Sequence, residues 1–317
     1  MTNNHLAFVF PGQGSQSVGM LAKLADESPV VRATFAEASD VLGYDLWQLC
    51  SAGPADVLNS TERTQPAMLA AGIATWRLWQ ERNAPQPAIV TGHSLGEFTA
   101  LVAAGALDFA SGIDLVRFRG QAMQAAVPAG AGAMAALLGL EDADVEAACR
   151  DASAQGGVVE AVNFNSPGQV VIAGDRAAVL RAIEAAKARG AKRALELPVS
   201  VPSHSSLMKP AGERLGEKLA STAFRKPSIR YLSAVDAQEH SDPDDIRALL
   251  VRQLSSPVRW TSTVAALTSG GIRQIVECGP GQVLAGLVKR IERGRDTQTF
   301  VLETPENLAA TASAVAG

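Results

Sequence analysis

The pentapeptide Gly-His-Ser-Leu-Gly at 92–96 places a serine between two glycines, after an apolar run and before a helical pattern. Glycines on both sides of a serine permit a tight strand–turn–helix arrangement, the nucleophile elbow, which exposes the hydroxyl above a sheet. The backbone N–H of Leu95 then lies at the start of a helix, where it can donate to an oxyanion. The spacing therefore predicts Ser94 as a nucleophile. An ordinary glycine-rich turn is the alternative.

A serine nucleophile needs a base within hydrogen-bond reach, and the chain contains four histidines. His5 lies in the N-terminal segment, and His93 directly precedes Ser94, where neighbouring side chains diverge. His240 lies in a polar stretch that we expect to be a solvated loop. His204 is the best candidate for the base, with an ordinary loop histidine as the alternative.

No carboxylate between Ser94 and His204 is an evident partner for the imidazole. Another group, such as a backbone carbonyl, must then orient it. A nucleophile and a base without an acid favour an acyltransferase with a Ser–His dyad over an ordinary esterase, which would carry a complete triad.

Two arginines occupy one predicted helix, and their neighbours three and four residues away differ. Those of Arg117 are largely polar, whereas those of Arg119 are apolar: Leu115, Val116, Ala122 and Met123. We therefore expect Arg119 to face the protein interior, where an unpaired charge is costly. Its partner is either a protein carboxylate or a substrate carboxylate held by bidentate hydrogen bonds. In the second case the acyl group bears a free carboxylate, and malonyl is the obvious small one.

Alternating apolar and helical patterns predict the elements that position these residues. Strands are expected near 6–10, 88–90, 229–234 and 272–277, and helices near 30–42, 65–81, 108–126, 207–220, 244–254, 260–269 and 283–292. Strands that alternate with helices predict a largely parallel sheet covered on both faces. The tail after Thr304 is expected to pack loosely.

A different pattern begins at Ala133. It predicts a strand at 134–140, a helix at 142–154, hairpin strands at 158–164 and 169–173, a helix at 176–188 and a strand at 193–197. This order, β-α-β-β-α-β, is the ferredoxin-like motif. We therefore predict an α/β core of residues 1–130 and 199–317 with an inserted subdomain of residues 131–198.

Composition narrows the function classes. The chain has 317 residues and a net charge of −4, which gives no reason to expect nucleic-acid binding. Its three cysteines, Cys50, Cys149 and Cys278, are far apart and show neither metal-ligand spacing nor a disulfide framework, so we expect a reducing compartment and no metal. The N-terminus lacks the basic region of a signal peptide, and no apolar run is long enough for a membrane span. We expect a cytoplasmic protein that binds no membrane.

Several motifs in a fixed order resemble the malonyl-CoA:acyl-carrier-protein transacylases of bacterial fatty acid synthesis. They are FPGQGSQ at 10–16, TQPA at 64–67, GHSLGE at 92–97, RG at 119–120, NFNSPGQ at 163–169, PSH at 202–204 and GPG at 279–281. The resemblance covers nearly the whole chain. It implies an α/β-hydrolase-like core with a parallel sheet and an inserted ferredoxin-like subdomain.

The resemblance also implies roles for single residues. Ser94 corresponds to the nucleophile and His204 to the base. The backbone N–H groups of Gln13 and Leu95 correspond to the oxyanion hole, and Arg119 corresponds to the arginine that binds the malonyl carboxylate. Gln253 corresponds to the residue whose backbone carbonyl orients the histidine.

The implied activity is transfer of malonyl from malonyl-CoA to the phosphopantetheine thiol of acyl carrier protein through a malonyl-serine intermediate. CoA and the carrier phosphopantetheine are substrates, so no cofactor is expected. We expect a monomer that binds the carrier protein transiently. The open alternatives are a discrete acyltransferase that serves a polyketide synthase, a thioesterase or esterase, and a non-catalytic carrier-binding module.

Carrier proteins are acidic as a class, which predicts a basic docking patch. One candidate cluster comprises Lys187, Arg189, Lys192 and Arg193, and a second comprises Lys289, Arg290 and Arg293. Ordinary solvated charge at helix ends would give the same pattern.

Overall fold

The computed structural model describes residues 2–199 and 201–316, which form two β-sheets with helices packed against them. The strands are β1 (Thr2–Phe10), β2 (Gln86–Gly92), β3 (Gly132–Leu138), β4 (Val159–Ser166), β5 (Gln169–Asp175), β6 (Arg193–Glu196), β7 (Arg230–Leu232), β8 (Glu239–His240), β9 (Gln274–Glu277) and β10 (Gln298–Val301). The helices are α1 (Ala22–Glu27), α2 (Pro29–Leu42), α3 (Leu46–Ala52), α4 (Ala55–Leu58), α5 (Thr61–Glu81), α6 (Gly96–Ala103), α7 (Phe109–Ala125), α8 (Asp142–Ser153), α9 (Arg176–Ala188), α10 (Lys209–Ala220), α11 (Pro243–Gln253), α12 (Trp260–Ser269), α13 (Val283–Ile291) and α14 (Pro305–Ala314). Among the described residues, no helix combines the length and hydropathy that a membrane span needs.

The larger sheet has the strand order β10-β9-β1-β2-β7-β8 and is parallel except for the edge pair of β7 and β8. Strand β1 is fully buried from Leu6 to Phe10, as expected for a parallel strand covered on both faces. In the register of β1 and β2, Phe10 is paired with Gly92. The loop after β1 and the turn after β2 therefore leave the sheet side by side. The predicted parallel sheet is confirmed.

The smaller sheet is antiparallel, with strand order β4-β5-β3-β6, and α8 and α9 pack on one face through their own apolar cluster. Its elements follow the predicted order β-α-β-β-α-β. Strand β4 contacts the rest of the molecule through the Phe164 N–H, which donates to the Val258 carbonyl at 3.0 Å. The division of the chain at 131–198 stays a prediction.

Helix α5 begins at Thr61, four residues before the predicted start at Gln65, and so contains Pro66 in its interior. Proline normally occupies the first helical turn, so a sequence pattern points to a later start. The early start matters for function because α5 packs against α7. This packing brings the Gln65 side chain to the guanidinium of Arg119 on α7.

Two expectations about polar or terminal segments are wrong. The segment after Thr304 does not pack loosely, because α14 buries Leu308 and Thr311 beside strand β10. His240 is not in a solvated loop, because it lies in β8 with its ring 3.2 Å from Asp236 and 19% exposed. Both segments are short or polar in sequence, and only their pairing with a neighbouring element buries them.

Candidate active site

The turn between β2 and α6 has the elbow geometry that the pentapeptide predicts. Ser94 has a φ of 54°, in the left-handed region that is strained for a non-glycine residue. A Cβ on Gly92 would lie 1.9 Å from the Gly96 carbonyl carbon, and a Cβ on Gly96 would lie 2.0 Å from the Phe10 oxygen. Only glycine fits at these two positions, so the sheet, the turn and the helix can approach closely enough to raise Ser94 above the strand ends.

Ser94 and His204 lie within hydrogen-bond distance, with Oγ 2.7 Å from Nε2. His204 Nδ1 is 2.8 Å from the backbone oxygen of Gln253, the last residue of α11. A carbonyl oxygen only accepts, so Nδ1 carries the proton and Nε2 accepts from the Ser94 hydroxyl. The structure therefore brings together the predicted nucleophile, the predicted base and the predicted orienting carbonyl.

The His204 imidazole is neutral. It is 4% exposed, and burial is the largest cause that lowers its pKa to about 3. The positive charge of Arg119 acts in the same direction, and the hydrogen bond to Gln253 opposes both. At neutral pH the Nε2 lone pair is therefore free to accept the serine proton.

Arg119 is 1% exposed, which confirms that it faces the interior. Its Nη1 donates to Gln65 Oε1 at 2.8 Å, and its Nη2 donates to Gln253 Oε1 at 2.9 Å and to Ser94 Oγ at 3.1 Å. All three acceptors are neutral, and within the described ranges no carboxylate forms an ion pair with this guanidinium. Arg117, in contrast, pairs with Asp114 and is one-third exposed. The protein-carboxylate alternative for Arg119 therefore finds no direct contact among the described residues.

The two backbone N–H groups expected to form the oxyanion hole lie at the ends of neighbouring strands. Gln13 is in the loop after β1, and Leu95 directly precedes α6. The end of β1, from which this loop leaves, is fixed against the elbow, since the His93 N–H donates to the Phe10 oxygen at 3.0 Å. Within the described part of the chain, neither the Gln13 nor the Leu95 N–H has a hydrogen-bond acceptor. Both residues line the cleft that contains Ser94, but their role stays a prediction.

Three site residues were not assigned a role from the sequence: Gln65, Asn165 and Glu97. Each lies in a motif that the resemblance uses, but a motif does not tell which side chain points toward the site. Gln65 contacts Arg119, as above, and Asn165 Oδ1 is 2.9 Å from His93 Nε2. The second contact ties the β4–β5 hairpin of the smaller sheet to the elbow. Tertiary packing alone creates both contacts.

Glu97 is a fully buried carboxyl group close to the site. It lies in the first turn of α6 and is 1% exposed. It accepts hydrogen bonds from the Tyr231 hydroxyl, from the Ser233 hydroxyl at 3.0 Å and from the Ala234 N–H at 3.1 Å. Burial raises its pKa to about 7, and these donors oppose the shift.

The site opens into a cleft of about 460 Å³ between the two sheets. One wall is polar and carries Ser94, His204 and Arg119. The opposite wall is largely apolar and includes Leu197 and Val199, which follow β6. A cleft with one apolar wall and a few convergent polar groups suits a small acyl group on a long thiol carrier.

Comparison with known proteins identifies the family of this chain. The family model described as acyl transferase domain matches residues 7–302. The malonyl CoA-acyl carrier protein transacylase of Escherichia coli (strain K12) is 55% identical over 305 residues, which cover 96% of this chain and 97% of that protein.

Solved structures show the same fold over the whole chain. The malonyl-CoA:acyl carrier protein transacylase of Xanthomonas oryzae is 54% identical with a TM-score of 0.96, covering 99% of each chain. A malonyl-transacylase in complex with a type II PKS acyl-carrier protein is 51% identical with a TM-score of 0.96, covering 98% of this chain and 100% of that one. The glycine elbow, the Ser–His pair and the buried arginine thus occur in a chain that belongs to the acyl transferase domain family, among the malonyl CoA-acyl carrier protein transacylases.

Proposed function

We propose that this protein transfers a malonyl group from malonyl-CoA to the phosphopantetheine thiol of acyl carrier protein through a malonyl-serine intermediate. The observation that supports this most strongly is the buried guanidinium of Arg119. It lies 3.1 Å from the Ser94 hydroxyl and is held by the neutral oxygens of Gln65 and Gln253. A guanidinium in this position selects an acyl group that ends in a carboxylate.

In the first half-reaction, Ser94 Oγ attacks the thioester carbonyl of malonyl-CoA while His204 Nε2 takes its proton. The oxyanion of the tetrahedral intermediate accepts hydrogen bonds from the Gln13 and Leu95 N–H groups, each of which stabilises it by about 3–4 kcal/mol. His204 then returns the proton to the departing CoA thiol. No proton is gained or lost overall, because the one that leaves the serine ends on the thiol.

Arg119 also strengthens the base when the substrate binds. Its positive charge is one cause of the low pKa of His204. A substrate carboxylate on the guanidinium cancels that charge and so raises the pKa of the imidazole. Malonyl-CoA is therefore favoured in the chemical step as well as in binding.

In the second half-reaction the phosphopantetheine thiol of the carrier attacks the malonyl-serine ester, and His204 again acts as the base. CoA and the carrier arm are both substrates, and the reaction uses no cofactor. Each step needs only the side chains of one chain, and we propose that the enzyme acts as a monomer. Its partner is an acyl carrier protein, bound transiently.

A polyketide carrier is the second candidate partner. It is favoured by the relative that was solved with a type II PKS acyl-carrier protein. The chemistry is the same for both carriers, so the choice depends on the docking surface. A transfer assay with purified fatty acid and polyketide carriers distinguishes them through kcat/KM for each carrier.

Mass spectrometry of the intact protein after incubation with malonyl-CoA alone tests the mechanism. We expect one malonyl adduct on wild-type protein and none on Ser94→Ala. Subsequent addition of carrier protein removes the adduct and yields malonyl-carrier. An adduct that survives Ser94→Ala would contradict the mechanism. CoA release without carrier at the rate of transfer would instead identify a thioesterase.

A further inference from the structure

The proposed mechanism leaves one buried carboxyl group, Glu97, without a role. It follows Ser94 by three residues and is 1% exposed. Its three donors, Tyr231, Ser233 and Ala234, all belong to β7 or the turn after it. An ionised carboxyl is buried at this depth only where hydrogen-bond donors or a cation compensate its charge.

Arg119 is the buried cation on which the charge of Glu97 acts. The negative charge of Glu97 raises the pKa of Arg119 and opposes the effect of burial. Gln253 brings the two residues close together. Its Oε1 accepts from Arg119 Nη2 at 2.9 Å, and its Nε2 donates at 2.9 Å to the Ser94 carbonyl, which also accepts the Glu97 backbone N–H at 3.0 Å. Glu97 therefore acts on the guanidinium by its charge without a direct ion pair, which leaves the guanidinium edge beside Ser94 available to a substrate.

We propose that Glu97 balances the charge of the acyl site: its carboxylate is the counter-ion of Arg119 in the empty enzyme, and it takes up a proton when a substrate carboxylate binds Arg119. This inference rests on the proposed function and concerns the same site. Two anions beside one buried guanidinium would leave a net negative charge in the interior, whereas a protonated Glu97 leaves none.

The proton balance is simple. One O–H bond forms at a Glu97 oxygen, and the proton comes from the buffer. The acid then has an acceptor within reach, because the Ser233 hydroxyl oxygen lies at 3.0 Å and keeps one lone pair, the other accepting from the Val235 N–H at 3.1 Å. The acyl transfer itself neither consumes nor releases a proton, so any net uptake reports on the charge of the site.

The ionisable groups around Glu97 are consistent with this exchange. Arg119 acts from α7, and Tyr231 acts from β7 with Asp236 beyond it. His204 shares Gln253 and is neutral because its pKa is lowered to about 3. The pKa of Tyr231 is raised far above its ordinary value, mainly by burial, so it stays a hydrogen-bond donor. With a pKa of about 7, Glu97 is divided between its two forms at neutral pH.

The direction of the pH dependence follows from the binding reaction. A substrate carboxylate raises the pKa of Glu97 further, so malonyl-CoA binds the protonated form more tightly. Below about pH 7 that form is already present, and the affinity does not change with pH. Above that pH, the Kd for malonyl-CoA rises by up to tenfold per pH unit, to the limit set by the pKa of Glu97 in the loaded enzyme. The Kd for acetyl-CoA, which lacks the carboxylate, shows no such rise.

The test counts the protons taken up when Ser94→Ala, which forms no acyl-serine, binds malonyl-CoA. Isothermal calorimetry in buffers of different ionisation enthalpy gives this number. We expect about half a proton per site at pH 7, where Glu97 is half ionised, and more at pH 8. We expect none with acetyl-CoA. In the wild type, the same uptake appears as a pH rise during acylation in weakly buffered solution.

Two variants identify the group. Glu97→Gln keeps the shape of the side chain but does not titrate, so it should take up no proton and bind malonyl-CoA equally at all pH values. Tyr231→Phe keeps the carboxyl and removes one donor to its ionised form, so uptake should persist with a midpoint at higher pH. If Glu97 had a purely structural role, neither variant would change the number of protons taken up or the pH midpoint of the uptake.

Two results would overturn the inference: no uptake in the parent protein, or equal uptake after Glu97→Gln, which would place the proton on another group such as His204. Failure of the proposed function looks different. In that case wild-type protein forms no malonyl-serine at all. If wild-type protein is malonylated without proton uptake, the result contradicts the role of Glu97 but leaves the proposed function intact.

Discussion

Arg119 is the residue that we propose selects the acyl group of the substrate. Its position on α7 and its burial hold the guanidinium in one place, and Gln65 and Gln253 fix its plane. A fixed, planar donor pair recognises a carboxylate in a way that a flexible lysine does not. Both amides are neutral, so they orient the arginine without neutralising it.

Replacement of Arg119 by alanine should therefore change selectivity more than it changes catalysis. We expect kcat/KM for malonyl-CoA to fall by about 10²–10³-fold, as for loss of a buried charge-assisted pair worth about 3–4 kcal/mol. The rate with acetyl-CoA should change far less. A competition assay with both donors measures this ratio. Unchanged preference for malonyl would remove Arg119 from the acyl site.

The elements position the site through close backbone contacts. The carboxyl ends of β1 and β2 lie side by side, and α6 begins so close to β1 that a Cβ on Gly96 would lie 2.0 Å from the Phe10 oxygen. The backbone carbonyl of Gln253, the last residue of α11, accepts a hydrogen bond from His204 Nδ1. Free backbone groups at helix ends thus supply the expected oxyanion donor at Leu95 and orient the base.

Gly96→Ala should destabilise the protein because the new methyl group meets backbone atoms, which cannot move aside as a side-chain end can. We expect a loss of about 3 kcal/mol or more in the free energy of unfolding, together with loss of malonylation. Thermal unfolding measures the first effect and mass spectrometry the second.

Gly286→Ala is the matched control. Gly286 lies inside α13, and a Cβ there has no neighbour within 4 Å. Alanine at this position should raise the stability by up to about 1 kcal/mol, because it favours the helix. Equal melting temperatures for the two variants would contradict the steric explanation of the elbow.

At the scale of the whole molecule, the two sheets form the walls of the cleft. Strand β6 is an edge strand of the smaller sheet, and the chain after it, through Leu197 and Val199, lines the cleft. Lys192 and Arg193 are exposed at the start of this segment. The other two members of that cluster are partly neutralised, since Lys187 pairs with Glu184 and Arg189 pairs with Asp151. We infer that an acidic carrier approaches along β6.

Charge reversal of Lys192 and Arg193 to glutamate should raise the KM for carrier protein by about tenfold at low salt, because rim charges act mainly on association. The effect should shrink as salt screens the charges. The KM for malonyl-CoA should stay the same.

Reversal of Arg225 and Lys226 is the control. These exposed residues precede β7, at the amino ends of the parallel strands and away from the cleft. Reversal of their charges should leave the KM for carrier protein unchanged. If both double variants behave alike, the β6 segment is not the docking surface, and the cluster on α13 becomes the candidate.

Residues close together in the chain specify the parts of this protein that a local pattern can encode. Glycine spacing around Ser94, the apolar neighbours of Arg119 and the strand–helix order specify the elbow, the inward arginine and the sheets. These follow because turns, helix faces and alternation depend on residues close in the chain. Elimination among the four histidines indicates His204, and the position of Leu95 at the start of a helix indicates an oxyanion donor. The roles of Gln13 and Gln253 follow only from the resemblance.

Contacts between groups that are distant in the chain depend on how the elements pack. The carbonyl of Gln253 reaches His204, Gln65 reaches Arg119 from another helix, and Asn165 reaches His93 from the other sheet. The burial of Glu97 among the donors of β7 and the turn after it gives an ordinary glutamate a pKa of about 7. No local pattern encodes these contacts, because hydrogen bonds and desolvation depend on what packing brings together across the chain.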